Sequence, residues 1–152
     1  MIKIITVGSL KERYLKEAIE EYQKRIKKYT DIEIIEVKDE GLLPPMQAME
    51  KESEKIKKHI SEKEYIITLE IEGKQFTSEE FSRKIEDIQM INSNITFIIG
   101  GSYGIDQSIK EKAKTHLSFS KMTFPHQLFR VLLLEQIYRA CLLYTSPSPR
   151  DA

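Results

Sequence analysis

Apolar positions along the chain change their period in a regular order. Ile2–Val7 is rich in β-branched residues and stops at Gly8, which predicts a buried strand running into a turn. Leu15, Ile19, Tyr22, Ile26 and Tyr29 then recur at spacings of four and three, the mark of a helix with one buried face. Residues 31–37 carry Ile32, Ile34, Ile35 and Val37 between polar positions and end at Asp39, Gly41 and Pro44-Pro45, so a second strand and a loop follow. Met46, Met49, Ser53, Ile56 and Ile60 predict a second helix with a solvated outer face. Residues 65–71 read as a third strand closed by the turn Glu72-Gly73-Lys74, and Thr77 followed by Glu80 supplies a capping box ahead of Phe81, Ile85, Ile88 and Ile91. Ile95–Ile99 is an apolar strand that runs straight into Gly100-Gly101-Ser102-Tyr103-Gly104. A short helix over 107–114, a short strand over 116–120 and a helix over 127–140 complete the pattern. The last helix is apolar nearly all round, which implies burial within the fold, against another subunit, or both. Strands alternating with helices predict an α/β fold: a largely parallel sheet with helices on both faces.

Composition narrows the reading. The 152 residues, 40% of them hydrophobic, suffice for one domain with a real core. Lysine and arginine number 24 against 24 acidic residues, so no global field draws the chain to nucleic acid, and any RNA binding must be local. No stretch reaches the roughly 18 to 20 apolar residues of a membrane span, and the start lacks the layout of a signal peptide. A cytoplasmic protein without membrane contact is expected. The single cysteine, Cys141, has no internal disulfide partner, and no Cys/His cluster offers ligand spacing, so no metal is expected.

Ligands of open α/β sheets settle outside the carboxyl ends of strands, and three such ends are chemically unusual here: residues 69–74, 100–104 and 119–126. Gly100, Gly101 and Gly104 allow a ligand close to the backbone, as a nucleoside requires. A lone Gly-Gly pair more often only turns the chain. The spacing is not G-x-G-x-x-G and no phosphate loop occurs, which disfavours ordinary NAD or ATP binding. In the third segment Pro125 suits a helix start, with His126 and Gln127 in the first turn and Arg130 one turn on.

Val7-Gly8, Thr68-Leu69-Glu70, Gly73-Lys74, Ile99-Gly100-Gly101, the run Leu117-Ser118-Phe119-Ser120-Lys121-Met122-Thr123-Phe124-Pro125-His126-Gln127, and Leu134-Glu135-Gln136-Ile137-Tyr138-Arg139-Ala140 stand in one order and at one spacing. Together they resemble the RlmH-type methyltransferases of the SPOUT class, over residues 1–140. The resemblance implies a SPOUT-type α/β trefoil knot, a homodimer, and S-adenosyl-L-methionine held in the knot. Periodicity alone shows no knot. By the same resemblance Leu69, Gly100, Phe119, Ser120, Lys121, Met122, Thr123 and Phe124 line the cofactor pocket, with backbone groups on the adenine and Leu69 and Met122 as apolar walls. The implied reaction is methylation of N3 of a pseudouridine in 23S ribosomal RNA, within the assembled ribosome.

Such a transfer needs alignment, loss of the imide proton, and stabilisation of the charge that develops on the ring. Arg130 is the expected electrostatic partner and His126 a proton acceptor or substrate contact. The plainer alternatives are a cap or packing role for His126, and an ion pair to Glu135 or to a second subunit for Arg130. Arg139 reads as an interface or phosphate contact, and Lys74 and Lys121 as further phosphate contacts, although exposed lysines are usually only solvated. Two other classes compete: a non-catalytic RNA- or ribosome-binding module of this fold, and a nucleotide-dependent α/β enzyme.

After Ala140 the composition shifts abruptly. Residues 141–152 lack the short basic ending usual for the resembled family and read naturally as a translated transposase-type sequencing adapter. The expectation is a methyltransferase domain over 1–140 and a non-native tail over 141–152. A natural ending lost in this way would remove substrate contacts and leave cofactor binding without turnover.

Overall fold

The computed structural model describes residues 1–145. Its centre is a sheet of five parallel strands in the order β2-β1-β4-β3-β5: β1 (Ile2–Val7), β2 (Ile32–Val37), β3 (Tyr65–Gln75), β4 (Ile95–Ile99) and β5 (Thr115–Ser118). Both faces are covered, because apolar side chains on each face of the inner strands are buried. Ile2, Ile4, Ile67, Phe97 and Ile99 join a cluster with α1 (Arg13–Ile26), α3 (Ser78–Ile91) and α5 (His126–Thr145). Ile5, Val7, Ile66 and Ile98 join a second one with Ile56 of α2 (Pro45–Lys57) and Ile109 of α4 (Gln107–Lys110). This is the α/β architecture the alternating pattern predicts.

Local signals set several boundaries. Thr77 accepts from the Glu80 N–H at 3.1 Å while the Glu80 carboxylate accepts from the Thr77 N–H at 2.8 Å, the reciprocal box that starts α3. Pro45 opens α2, where its missing N–H costs nothing.

Five expectations about the elements need correction. Helix α1 stops at Ile26, leaving Tyr29 in a turn whose N–H donates to the Ile26 carbonyl. Met46 lies in the first turn of α2 but faces solvent, and the buried stripe runs through Ala48, Glu52, Ser53 and Ile56. Glu72-Gly73-Lys74 does not end β3: Leu117 of β5 pairs with both Leu69 and Lys74, so residues 70–73 form a bulge inside one strand. The helix expected over 107–114 closes at Lys110. Helix α5 continues past Ala140 to Thr145, so the segment expected to be non-native is helical at its start, and its remainder lies outside the described residues.

Candidate functional site

The carboxyl ends of β3, β4 and β5 surround a cleft of about 500 Å³, within the range of small-molecule sites. The β3 bulge supplies Leu69, Glu70 and Ile71, the β4 end supplies Ile99 and the 100–105 turn, and the β5 end supplies Leu117 to Ser120. Thr123, Phe124, His126 and Phe129 close it from the start of α5, and Met49 reaches it from α2.

Two glycines have no spare room. A Cβ on Gly100 would lie 2.7 Å from the Gly104 carbonyl oxygen and 2.7 Å from Ile105 Cγ1. One on Gly73 would lie 2.7 Å from the His116 carbonyl oxygen, which explains glycine in the bulge that feeds the cleft wall. Gly104, at φ +92°, turns the chain back, and its N–H donates to the Gly101 carbonyl at 3.0 Å.

Of the ten residues singled out from the sequence, the cleft gathers Leu69, Gly100, Phe119, Ser120, Thr123, Phe124 and His126. Lys121 and Met122 are not among its lining residues: both face solvent, Met122 at 72% exposure. Apolar walls come instead from Leu69, Ile99, Phe119 and Phe129. Phe129 is the centre of that wall, stacked on Phe119 at 6.1 Å between centroids and edge-on to Phe124 at 5.6 Å. In the sequence Phe129 is one more apolar position of the last helix. Its place three residues after His126, on the same helical face, was the signal available.

Arg130 also lies outside the lining. It is 3% exposed, and its guanidinium donates from Nη1 to Glu36 Oε2 at 2.5 Å and from Nη2 to the Gly8 carbonyl at 2.7 Å. Its Nε has no hydrogen-bond partner. The expected pair to Glu135 does not form: the carboxylate beside Arg130 is Glu36, while Glu135 pairs with Arg139 at 2.9 Å. His126 is exposed at the first position of α5, where the Leu128 and Phe129 N–H groups donate to the Pro125 carbonyl.

Electrostatics at the cleft centre on Glu70, which the sequence reading had not singled out as a site residue. Its Oε2 accepts from Thr68 Oγ1 at 2.5 Å and meets His116 Nδ1, while Lys110 Nζ lies 3.3 Å from Oε1. Burial pushes this carboxyl up, but the bonds from Thr68, His116 and Lys110 outweigh it and hold the group below the ordinary carboxylate range. A fixed anion therefore borders the cleft. Among the described residues no group of three or more His, Cys, Asp or Glu side chains could hold a metal, and no helix is long and apolar enough to cross a membrane.

Comparison with known proteins agrees with this geometry. A family model described as "Predicted SPOUT methyltransferase" matches residues 1–147. The ribosomal RNA large subunit methyltransferase H of Streptococcus gordonii is 49% identical over 149 residues, covering 93% of this chain and 94% of that protein. Its namesake from Clostridium botulinum (strain Hall) is 52% identical over 146 residues, covering 91% and 92%. A solved structure of a "probable methylase family protein" from Haemophilus influenzae covers 96% of this chain and 68% of that one, with a TM-score of 0.56 at 14% identity, a likeness of fold. With a family match across nearly its whole length and relatives of about half identical sequence, the chain belongs to the SPOUT methyltransferase family, and within it to the RlmH type.

Proposed function

We propose that the protein uses S-adenosyl-L-methionine to methylate large-subunit ribosomal RNA, at N3 of a pseudouridine in 23S RNA within the ribosome. The observation that carries this reading is the convergence of Leu69, Gly100 and Phe119 on one cleft, with no room for a Cβ at Gly100. Such a surface presents main-chain N–H and C=O groups at close range, as recognition of an adenine edge demands.

The residues fit the cofactor in three respects. The cleft has the volume for a folded nucleoside, its walls are apolar and aromatic, and Glu70 gives a cation a favourable field. Leu69, Gly100, Phe119, Ser120, Thr123 and Phe124 would hold it, with Lys121 and Met122 at the solvent edge. When bound, S-adenosyl-L-methionine supplies an electrophilic methyl group on a sulfonium.

His126 is the titratable side chain at the cleft mouth in this reading, placed to receive the imide proton or to hold the base. Arg130 acts on the reaction by fixing the Gly8 turn and the first turns of α5, rather than as the electrostatic partner. Half-buried Leu128, Val131 and Leu132 on α5 suit a second copy of the chain, and a homodimer would join basic groups that one neutral subunit keeps apart. A ribosomal substrate places the work in the cytoplasm.

Two measurements test the reading. Calorimetry should give heat with S-adenosyl-L-methionine and none with ATP or NAD; a binding module would give none with any of them, and a nucleotide-dependent enzyme would reverse the preference. Labelled methyl should then reach the large-subunit RNA of ribosomes from a strain lacking the gene, and loss of label upon replacing pseudouridine by uridine identifies the base.

A further inference from the structure

Helix α2 carries one carboxylate deep inside the protein. Glu52 is 3% exposed, its Oε2 accepts the Glu40 N–H at 2.9 Å, and its Oε1 has no hydrogen-bond partner. Opposite it stands Gly101, in the turn that borders the cleft. A Cβ built there would lie 3.3 Å from Glu52 Oε1, 3.5 Å from Oε2 and 3.0 Å from Val7 Cγ1. The carboxylate therefore occupies the space that a side chain at Gly101 would need. Met49, one turn earlier on the same helix, lines the cleft, so this face of α2 serves both the ligand space and the turn.

A buried carboxylate with an unsatisfied oxygen is costly, and an apolar side chain of similar size would fill the same space without that cost. The arrangement is economical only if the spare acceptor has a partner in another state of the turn. On its other side the turn closes on itself through the Gly104 N–H to the Gly101 carbonyl.

We infer that Glu52 is a positioning residue for the cofactor turn: its second oxygen is the acceptor on which the 101–104 backbone seats when the cleft is filled. Through Glu40 the same carboxylate couples the turn to the loop after β2. The inference rests on the cofactor reading above, and the residue touches neither cofactor nor substrate.

Glu52→Gln separates this role from packing. The amide keeps the volume and removes the buried charge, but its oxygen must face the Glu40 N–H, which turns the NH₂ donor towards Gly101. We expect an unchanged or raised melting temperature, S-adenosyl-L-methionine affinity lowered by about tenfold or more, and faster exchange of the Gly104 amide by NMR. Gly101→Ala, which intrudes on the same contact while leaving Glu52 in place, should reproduce the loss, and Glu52→Asp should recover part of it. Affinity within about twofold of wild type overturns the inference, as does an affinity loss with Gly104 exchange unchanged. If the wild-type chain binds no S-adenosyl-L-methionine, the cofactor reading fails, and Gly104 exchange alone decides: faster in Glu52→Gln supports the coupling, unchanged refutes it.

Discussion

Arg130 of α5 donates to the carbonyl of Gly8 at 2.7 Å, a bond between residues 122 positions apart that ties the last helix to the end of the first strand. Gly8 takes φ +96°, and its own N–H donates to the Val37 carbonyl, so the turn is held from two sides. Glu36 completes the knot of contacts, accepting from Arg130 and from the Leu10 N–H at 3.2 Å.

The two ends of that ion pair are unequally buried, which sets an order of mutant stabilities. Glu36 is 43% exposed and can be solvated alone, whereas Arg130 at 3% cannot. Glu36→Ala should therefore cost about 3–5 kcal/mol, as an uncompensated buried charge does. Arg130→Met, which leaves only a solvated carboxylate, should cost about 1–2 kcal/mol. Urea unfolding of both variants checks the order. If Arg130→Met proves the more damaging, the guanidinium is held mainly by Gly8 rather than by Glu36.

Gly100→Ala should act on the ligand more than on the fold. The added Cβ meets the Gly104 carbonyl oxygen and Ile105 Cγ1 at 2.7 Å each, so the turn must open towards the cleft. A destabilisation of about 1–3 kcal/mol is expected from overpacking, together with loss of measurable S-adenosyl-L-methionine binding at concentrations that saturate the wild type. Calorimetry on folded variant, verified by circular dichroism, makes the comparison.

What could be read from residue order was mainly what neighbours decide. The capping box at Thr77 and Glu80 placed the start of α3 because both partners lie within four positions. Glu72-Gly73-Lys74 looks like a terminating turn rather than part of a bulge, since glycine serves either purpose locally and only pairing with Leu117 distinguishes them. Tyr29 fits the α1 period yet lies beyond its end, in the turn that leads to β2. Arg130 and Glu135 stand five apart, off the helical i,i+4 spacing that Arg139 satisfies, and the true partner Glu36 is 94 residues away. The cleft residues Leu69, Gly100, Phe119 and Phe124 were legible from strand ends and motif. Glu52 and Phe129 were not, because each looked like one more position on a helix face.

Cys141 should be nearly inert in the folded chain. Burial pushes its thiol up to about 11, so at pH 8 roughly one molecule in a thousand carries the reactive thiolate. Alkylation by iodoacetamide is expected to be about a hundredfold slower than for an unfolded peptide and to reach the peptide rate in urea. Rapid labelling of the native protein would show that the helix end around residue 141 is open in solution.

Acid should weaken the fold through two particular carboxylates. Burial raises both Glu70 and Glu64, but hydrogen bonds outweigh it: Thr68, His116 and Lys110 for Glu70, and Lys3, Thr96 and the Ser61 N–H for Glu64. Each group thus has a folded value below its unfolded one near 4.5. Between those values the unfolded chain binds more protons, so stability rises with pH there and is level above it. The contribution is complete above about pH 5 and is lost as pH falls through the depressed folded values. Glu64→Gln and Glu70→Gln should each lower the urea midpoint at pH 7 and flatten its decline between pH 5 and pH 3, with the double variant flatter still. If the acid limb keeps its wild-type slope in the double variant, other carboxylates govern acid unfolding. Glu70→Gln should in addition weaken S-adenosyl-L-methionine binding, since it removes the anion at the cleft edge, whereas Glu64→Gln, at the amino-terminal end of the sheet, should leave binding unchanged.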